Sequence, residues 1–187
     1  PLLASLTFFI CLAPFVQAQQ HAIDSIRQVI KQYETRKNFS ADTGYISAFN
    51  ELAFRYIYIN PDTALTLSRK VQLLAGQSGY TKGEAEALKN MGLAHNVLGN
   101  YDSALLLYGN ALQISTDNGL TSTAGKILHN MGNAYSSLGK YPEALEHYFK
   151  ALKLREQLNE KLGIASSLIG IGAVYVYQGK WDLALQY

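Results

Sequence analysis

Residues 121–160 read TSTAGKILHNMGNAYSSLGKYPEALEHYFKALKLREQLNE, and the forty residues before them, 81–120, read TKGEAEALKNMGLAHNVLGNYDSALLLYGNALQISTDNGL. Laid over one another without gaps, the two stretches agree at 14 positions. Unrelated sequences of ordinary composition would agree at roughly two or three. The shared positions are Thr81, Leu88, Asn90, Met91, Gly92, Ala94, Leu98, Gly99, Tyr101, Ala104, Leu105, Tyr108, Ala111 and Leu112, each with its partner forty residues on. The period runs on toward the end of the chain, through Gly92, Gly132 and Gly172, through Gly99, Gly139 and Gly179, and through Ala104, Ala144 and Ala184. A fixed period of this size marks an array in which each unit buries its apolar face against the next.

Inside a unit the pattern is helical. Leu128, Met131, Gly132 and Tyr135 fall at i, i+3, i+4 and i+7, and Ala144, Leu145, Tyr148, Ala151 and Leu152 form a second such stripe. Between them stands Leu138-Gly139-Lys140-Tyr141-Pro142. Gly139 suits the left-handed residue that follows a helix end, and Pro142 suits the first turn of the next helix. Asp102 and Asp182 occupy the place of Pro142 in the neighbouring units, where a negative charge favours a helix N-terminus. Each unit is therefore a predicted helical hairpin. Gly92, Gly132 and Gly172 lie inside the first helix, where glycine costs about 1 kcal/mol relative to alanine. Ala104, Ala144 and Ala184 face them across the hairpin, so the expectation is a small-on-small contact that lets the helix axes approach, with Tyr108 and Tyr148 filling the space beside it.

The series Leu128, Met131, Gly132, Tyr135, Ala144, Tyr148 and Ala151 resembles the tetratricopeptide repeat (TPR) position for position. Leu88, Met91, Gly92, His95, Ala104, Tyr108 and Ala111 repeat it with histidine in an aromatic place, and Leu168, Ile171, Gly172, Tyr175 and Ala184 begin it again. A weaker copy reads Phe49, Leu52, Ala53, Tyr56, Ala64, Ser68 and Val71, with a shorter turn, Ile59-Asn60-Pro61-Asp62, that lacks the glycine. The resemblance implies an all-α fold, a right-handed superhelical solenoid of antiparallel helix hairpins. The family's usual spacing is about 34 residues, so both helices are expected to be a few residues longer. The units expected are a degenerate repeat at 43–82, repeats at 83–122 and 123–162, and a partial one at 163–187. Residues 19–42 are expected to form an N-terminal capping helix and loop, on the amphipathic stripe Ile23, Ile26, Val29, Ile30 and Tyr33, because terminal units of a solenoid need a polar outer face.

Leu2 to Val16 is nearly all apolar and uncharged, and Val16-Gln17-Ala18 follows it. That is the pattern of a secretory signal with small residues at its cleavage site, so 1–18 is expected to be a signal peptide and the protein to be exported, periplasmic or otherwise extracytoplasmic. Cys11, the single cysteine, lies inside this run. The chain opens on Pro1 and closes on a helical pattern at Trp181–Tyr187, and is expected to be part of a longer protein, with any membrane anchor in a further C-terminal segment.

With 16 Lys+Arg against 14 Asp+Glu, a net charge of +2 and no basic block, nucleic acid is not the expected partner. No cofactor, metal or catalytic constellation is expected. His21, His95, His129 and His147 form no metal-ligand pair, Gly170-Ile171-Gly172 falls in mid-helix rather than after a strand, and Glu84, Glu86, Glu143 and Glu146 read as solvated helix charges. What the TPR resemblance implies instead is a concave surface lined by the first helices. The residues placed on it are Lys89, Leu93 and Asn96 with Asn90, then His129, Asn133 and Ser136 with Asn130, then Ile169, Ala173, Val176 and Tyr177. An asparagine amide can bond both N–H and C=O of an extended peptide, or a neighbouring helix, and both readings of Asn90 and Asn130 stand. The function implied is a protein- or peptide-binding module, like the exported N-terminal regions of bacterial sensor histidine kinases or regulators. The alternative is an exported scaffold for an envelope complex.

Overall fold

The computed structural model describes the backbone of residues 2–187 and, of the side chains, those from Gln17 onward. The apolar stretch read as an export signal, residues 1–18, thus lies almost wholly outside the residues whose side chains are described. Among the described residues all regular structure is helical: α1 (Leu2–Glu34), a 3-10 turn (Phe39–Ala41), α2 (Thr43–Tyr56), α3 (Pro61–Ser78), α4 (Thr81–Val97), α5 (Tyr101–Asp117), α6 (Thr121–Ser137), α7 (Tyr141–Gln157), α8 (Lys161–Tyr177) and α9 (Trp181–Ala184). Among those residues no helix is long and apolar enough to cross a membrane.

From α4 to α8 every helix has 17 residues, and three-residue turns join them. Two such helices and two such turns make the forty-residue period, so the extra length does reside in both helices. Each turn closes the preceding helix with the same pair of bonds. At Leu98-Gly99-Asn100, the Gly99 N–H donates to Asn96 O and the Asn100 N–H to His95 O, 3.1 and 2.9 Å. This is the Schellman arrangement, and it needs a left-handed residue at its centre. Gly99, Gly119, Gly139 and Gly179 take it with φ between 66° and 78°, and Asn159 takes it with φ 53°.

A Cβ built on Gly139 meets nothing within 4 Å, so a side chain there is opposed by the backbone alone. Gly139→Val should cost about 1–2 kcal/mol, and Gly139→Asn distinctly less, since asparagine already fills the seat at 159. Urea midpoints of the two variants check the ordering.

The earlier unit closes α3 in the same way, at Gly79 with φ 68°, but starts its helices with different caps. The Asp42 carboxylate accepts from Gly44 N–H at 2.7 Å to start α2, and Asn60 Oδ1 accepts from Thr63 N–H at 2.9 Å ahead of Pro61 in the first turn of α3. Helix α1 lays Ile23 and Ile30 into a core with Tyr45, Ile46, Phe49 and Leu52. Val29, expected in the same stripe, is 41% exposed and faces away from this core. Phe39, in the turn that breaks the stripe, packs edge-on to Tyr45 at 5.0 Å.

The core is a series of linked clusters rather than one centre. Ala64, Leu88, Met91, Ala104, Tyr108, Ile127 and Met131 hold α3 to α6 together, and Ala144, Tyr148, Ile171 and Val174 hold α7 to α8. At Gly172 the nearest atom to a built Cβ is the Ala184 carbonyl, at 3.5 Å, as expected, but Gly92 and Gly132 are explained differently. A Cβ on Gly132 would stand 2.7 Å from Cδ1 and Cε1 of Tyr148, and one on Gly92 would stand 2.6 Å from Cε1 of Tyr108. The ring itself lies on the glycine. Ala144 is not among the atoms nearest Gly132, although at Gly92 the Ala104 carbonyl is 3.2 Å from the built Cβ.

Candidate functional site

The first helices of successive hairpins, α4, α6 and α8, lie side by side, and two open depressions run along the face they share. Asn96, His129, Asn133 and Ser136 come together in the larger one, of about 490 Å³, with Tyr148, Ser166, Ile169, Gly170, Ala173 and Tyr177. Lys89 and Asn90 line the other, of about 380 Å³, which lies between α2 and α4 and is bordered by Lys126 of α6. Leu93 is buried and Asn130 half-buried, and neither lines either depression. Of the eight predicted groove residues, four thus line one depression, two the other and two neither.

Asn90 takes the second of its two roles. It is 2% exposed, and its Nδ2 donates to the Asn50 carbonyl at 3.1 Å and to Asn50 Oδ1 at 3.3 Å. Asn50 Nδ2 in turn donates to Gly83 O at 3.1 Å. Two asparagines stitch α2 to α4, which corrects the expectation that Asn90 offers its amide to a peptide. Lys89 is also occupied, since its ammonium pairs with Glu86 on the same helix. Glu86 is not the solvated charge that the sequence suggested. Burial works to raise its pKa, but Lys89, Lys126 and the Thr123 hydroxyl, which donates to Oε1 at 3.1 Å, hold it below the usual carboxylate range. A nearly desolvated carboxylate survives ionised because cations and a hydroxyl surround it.

In the larger depression the chemistry is that of uncharged hydrogen-bonding groups. The Tyr148 hydroxyl donates to Asn133 Oδ1 at 2.5 Å, and its ring lies 5.3 Å from that of His129. Burial, helped by the positive charge of Arg155, lowers the His129 pKa to about 4, so this imidazole is neutral at ordinary pH. His147, stacked 5.1 Å from Tyr135, is lowered in the same sense by burial and Lys150, against the opposing pull of Glu146. Among the described residues no three of His, Cys, Asp and Glu are grouped as metal ligands would be.

The low folded-state pKa has a thermodynamic consequence. The unfolded chain takes up a proton at His129 near pH 6.5, and the folded chain does so only near pH 4. Stability should therefore fall as pH drops from about 6.5 to about 4, by about 1–3 kcal/mol, and the contribution of this group should then level off. Urea titrations at pH 7.5 and 4.5 measure the drop, and His129→Gln should make it smaller.

One group the sequence did not single out is Arg155, 5% exposed, whose Nη1 donates to Gly163 O at 2.6 Å and to Ser167 Oγ at 3.0 Å. It spans from α7 to the start of α8. A Cβ on Gly163 would stand 2.7 Å from Arg155 Cδ, and that missing side chain was the one available signal.

Stacked hairpins with helix-on-helix cores and left-handed turns define a helical-repeat solenoid. Residues 123–187 match the family model described as tetratricopeptide repeat, and the chain as a whole has the fold of a TPR-like helical solenoid. Its structure is similar to BtubC (BKLC) from P. vanneervenii, with a TM-score of 0.72 and 20% identity over 89% of this chain and 69% of that one. It is similar to a Rap protein complexed with Competence and Sporulation Factor, with a TM-score of 0.81 and 16% identity over 94% of this chain, although it spans only about half (49%) of the Rap chain. It also resembles the nearly identical TPR-like repeats of a putative kinesin light chain from Podosopora anserina, with a TM-score of 0.63 and 18% identity over 90% of this chain and 82% of that one. Likenesses at these identities show the fold. No curated protein matches the chain. The repeats and these neighbours support a protein-binding repeat module.

Proposed function

We propose that this module holds a protein or extended peptide in the depression between α6 and α8, and that it serves as the extracytoplasmic input domain of a signalling protein. The observation that carries the binding site is the convergence of Asn96, Asn133, Ser136, Ser166 and neutral His129 on one open surface beside Ile169 and Tyr177. Uncharged donors and acceptors next to apolar side chains suit a peptide backbone and its side chains. We assign the module no catalytic role. The similar Rap protein is complexed with Competence and Sporulation Factor, which agrees with a repeat surface that receives a signal. Export rests on the apolar run before Gln17 and the small residues Val16 and Ala18. An assembly scaffold in the cell envelope uses the same surface and is separated from signalling by the identity of the captured partner.

The experiment places a photo-crosslinking residue at Ser136 or Ala173, and separately at exposed Lys153 or Glu156 of α7, in cells that make the protein. Adducts from the first pair alone support the groove, and adducts from the second pair alone overturn it. The N-terminus is read by mass spectrometry on the same material. Gln19 at the terminus supports export, and an uncleaved leader on a cytosolic species overturns it.

A further inference from the structure

Three positions in each first helix, seven residues apart, share one face, and forty-residue spacing sets them in register from helix to helix. In α4 they are Lys82, Lys89 and Asn96, in α6 Ser122, His129 and Ser136, and in α8 Leu162, Ile169 and Val176. One surface therefore changes from cationic to polar to aliphatic within three adjacent helices. The aliphatic end is open: Leu162 is 88% exposed, Ile169 71% and Val176 41%. A neighbouring helix narrows this register without closing it: with α8 beside α6, Ser122, His129 and Ser136 stay partly exposed, although Lys89 of α4, beside α6, is 8% exposed.

The cationic end carries more cations than acids. Lys82, Lys89 and Lys126 meet Glu51 and Glu86 in the smaller depression. Glu86 is paired with Lys89, and Glu51 with Arg55 at 2.7 Å. Lys82 and Lys126 are exposed and make no ion pair among the described residues. Three helices packed at the usual 8–10 Å spacing cover roughly 20 Å, the reach of about six residues of extended chain.

We propose that the occupant of this face is an extended peptide segment with acidic residues at one end, set against Lys82 and Lys126, and aliphatic residues at the other, set against Leu162 and Ile169. This rests on the groove reading above and adds the partner's chemistry and the direction in which it lies. Opposite charge steers the acidic end and fixes register, while burial of the aliphatic end removes an apolar row that would otherwise stay in water.

The test is selection of a phage-displayed random octapeptide library on the immobilised chain, repeated on Lys82→Glu/Lys126→Glu, on Ile169→Asp and on Ser136→Trp. All the substituted positions lie on accessible surface, and a thermal melt by circular dichroism checks each fold. Peptides enriched in Asp or Glu at one end and Leu, Ile or Val at the other are expected. They should lose at least tenfold in affinity on the double-lysine variant and on Ile169→Asp, and selection on the double-lysine variant should turn the acidic end basic. Enriched peptides that Ser136→Trp blocks but that show neither bias would overturn this chemistry and leave the groove reading standing. No enrichment, or binding indifferent to Ser136→Trp, would overturn both.

Discussion

Gly132→Leu is expected to be the most damaging single substitution in the array, with a loss of about 3 kcal/mol or more. Leucine is the better helix former by nearly 1 kcal/mol, and that gain is overwhelmed by the collision. The first added atom would stand 2.7 Å from the Tyr148 ring. The ring cannot step aside, because its other flank lies on Gly170, where a Cβ would also stand 2.7 Å from Cε1. Tyr148 is 3% exposed and anchored through its hydroxyl to Asn133. Overpacking alone typically costs 1–3 kcal/mol, and here the tyrosine must also leave a site bounded on both sides. Urea unfolding followed by circular dichroism measures the loss. Combining Gly132→Leu with Tyr148→Ala gives the decisive comparison: the double variant should be much more stable than the sum of the two losses implies. Strict additivity would mean that the ring is not what excludes a side chain at 132.

Arg155→Ala should come next, at about 3 kcal/mol. The guanidinium fills space between α7 and α8 and supplies the hydrogen bonds to Gly163 O and Ser167 Oγ. Removing it leaves both acceptors without that donor in a buried place, at about 1–3 kcal/mol for an unsatisfied buried group, and the packing of the aliphatic stem is lost as well. Burial itself disfavours the charge and works to lower the Arg155 pKa, while Glu160 opposes that. Arg155→Met keeps most of the volume and should recover part of the loss. Amide exchange should quicken in α8 and not in α4. An unchanged melt, or exchange that quickens evenly along the chain, would show that Arg155 does not fasten the last hairpin.

The hairpins, their forty-residue length and the left-handed glycine turns were legible in the sequence because each depends on backbone preference repeated at fixed spacing. The partner of the interior glycine was not. Spacing places Gly132, Ala144 and Tyr148 near one another, but a ring's direction depends on which neighbour leaves room, and Gly170 of the following unit supplies that room. The face carrying Asn90 and Lys89 was also legible, yet both are engaged within the array itself, Asn90 by Asn50 forty residues earlier and Lys89 by Glu86 one turn away. Arg155 escaped notice because its register partner is Ser115, 0% exposed, whose hydroxyl bonds its own helix at Ala111 O. A residue that does not recur leaves no periodic trace.

The three-residue closures at 98–100, 118–120, 138–140, 158–160 and 178–180 share one backbone turn, which makes the junctions alike in backbone geometry. Cutting the chain after Leu120 and rejoining it at Lys161 would remove one hairpin and create a join with the same left-handed turn on its upstream side. Tyr108 would then meet Gly170, a residue already shaped to receive a tyrosine ring. Such a join would keep the backbone turn and the ring-on-glycine contact, but Ser115 would stand where Arg155 now reaches Gly163 and Ser167, so the shortened array would stack without its guanidinium clasp.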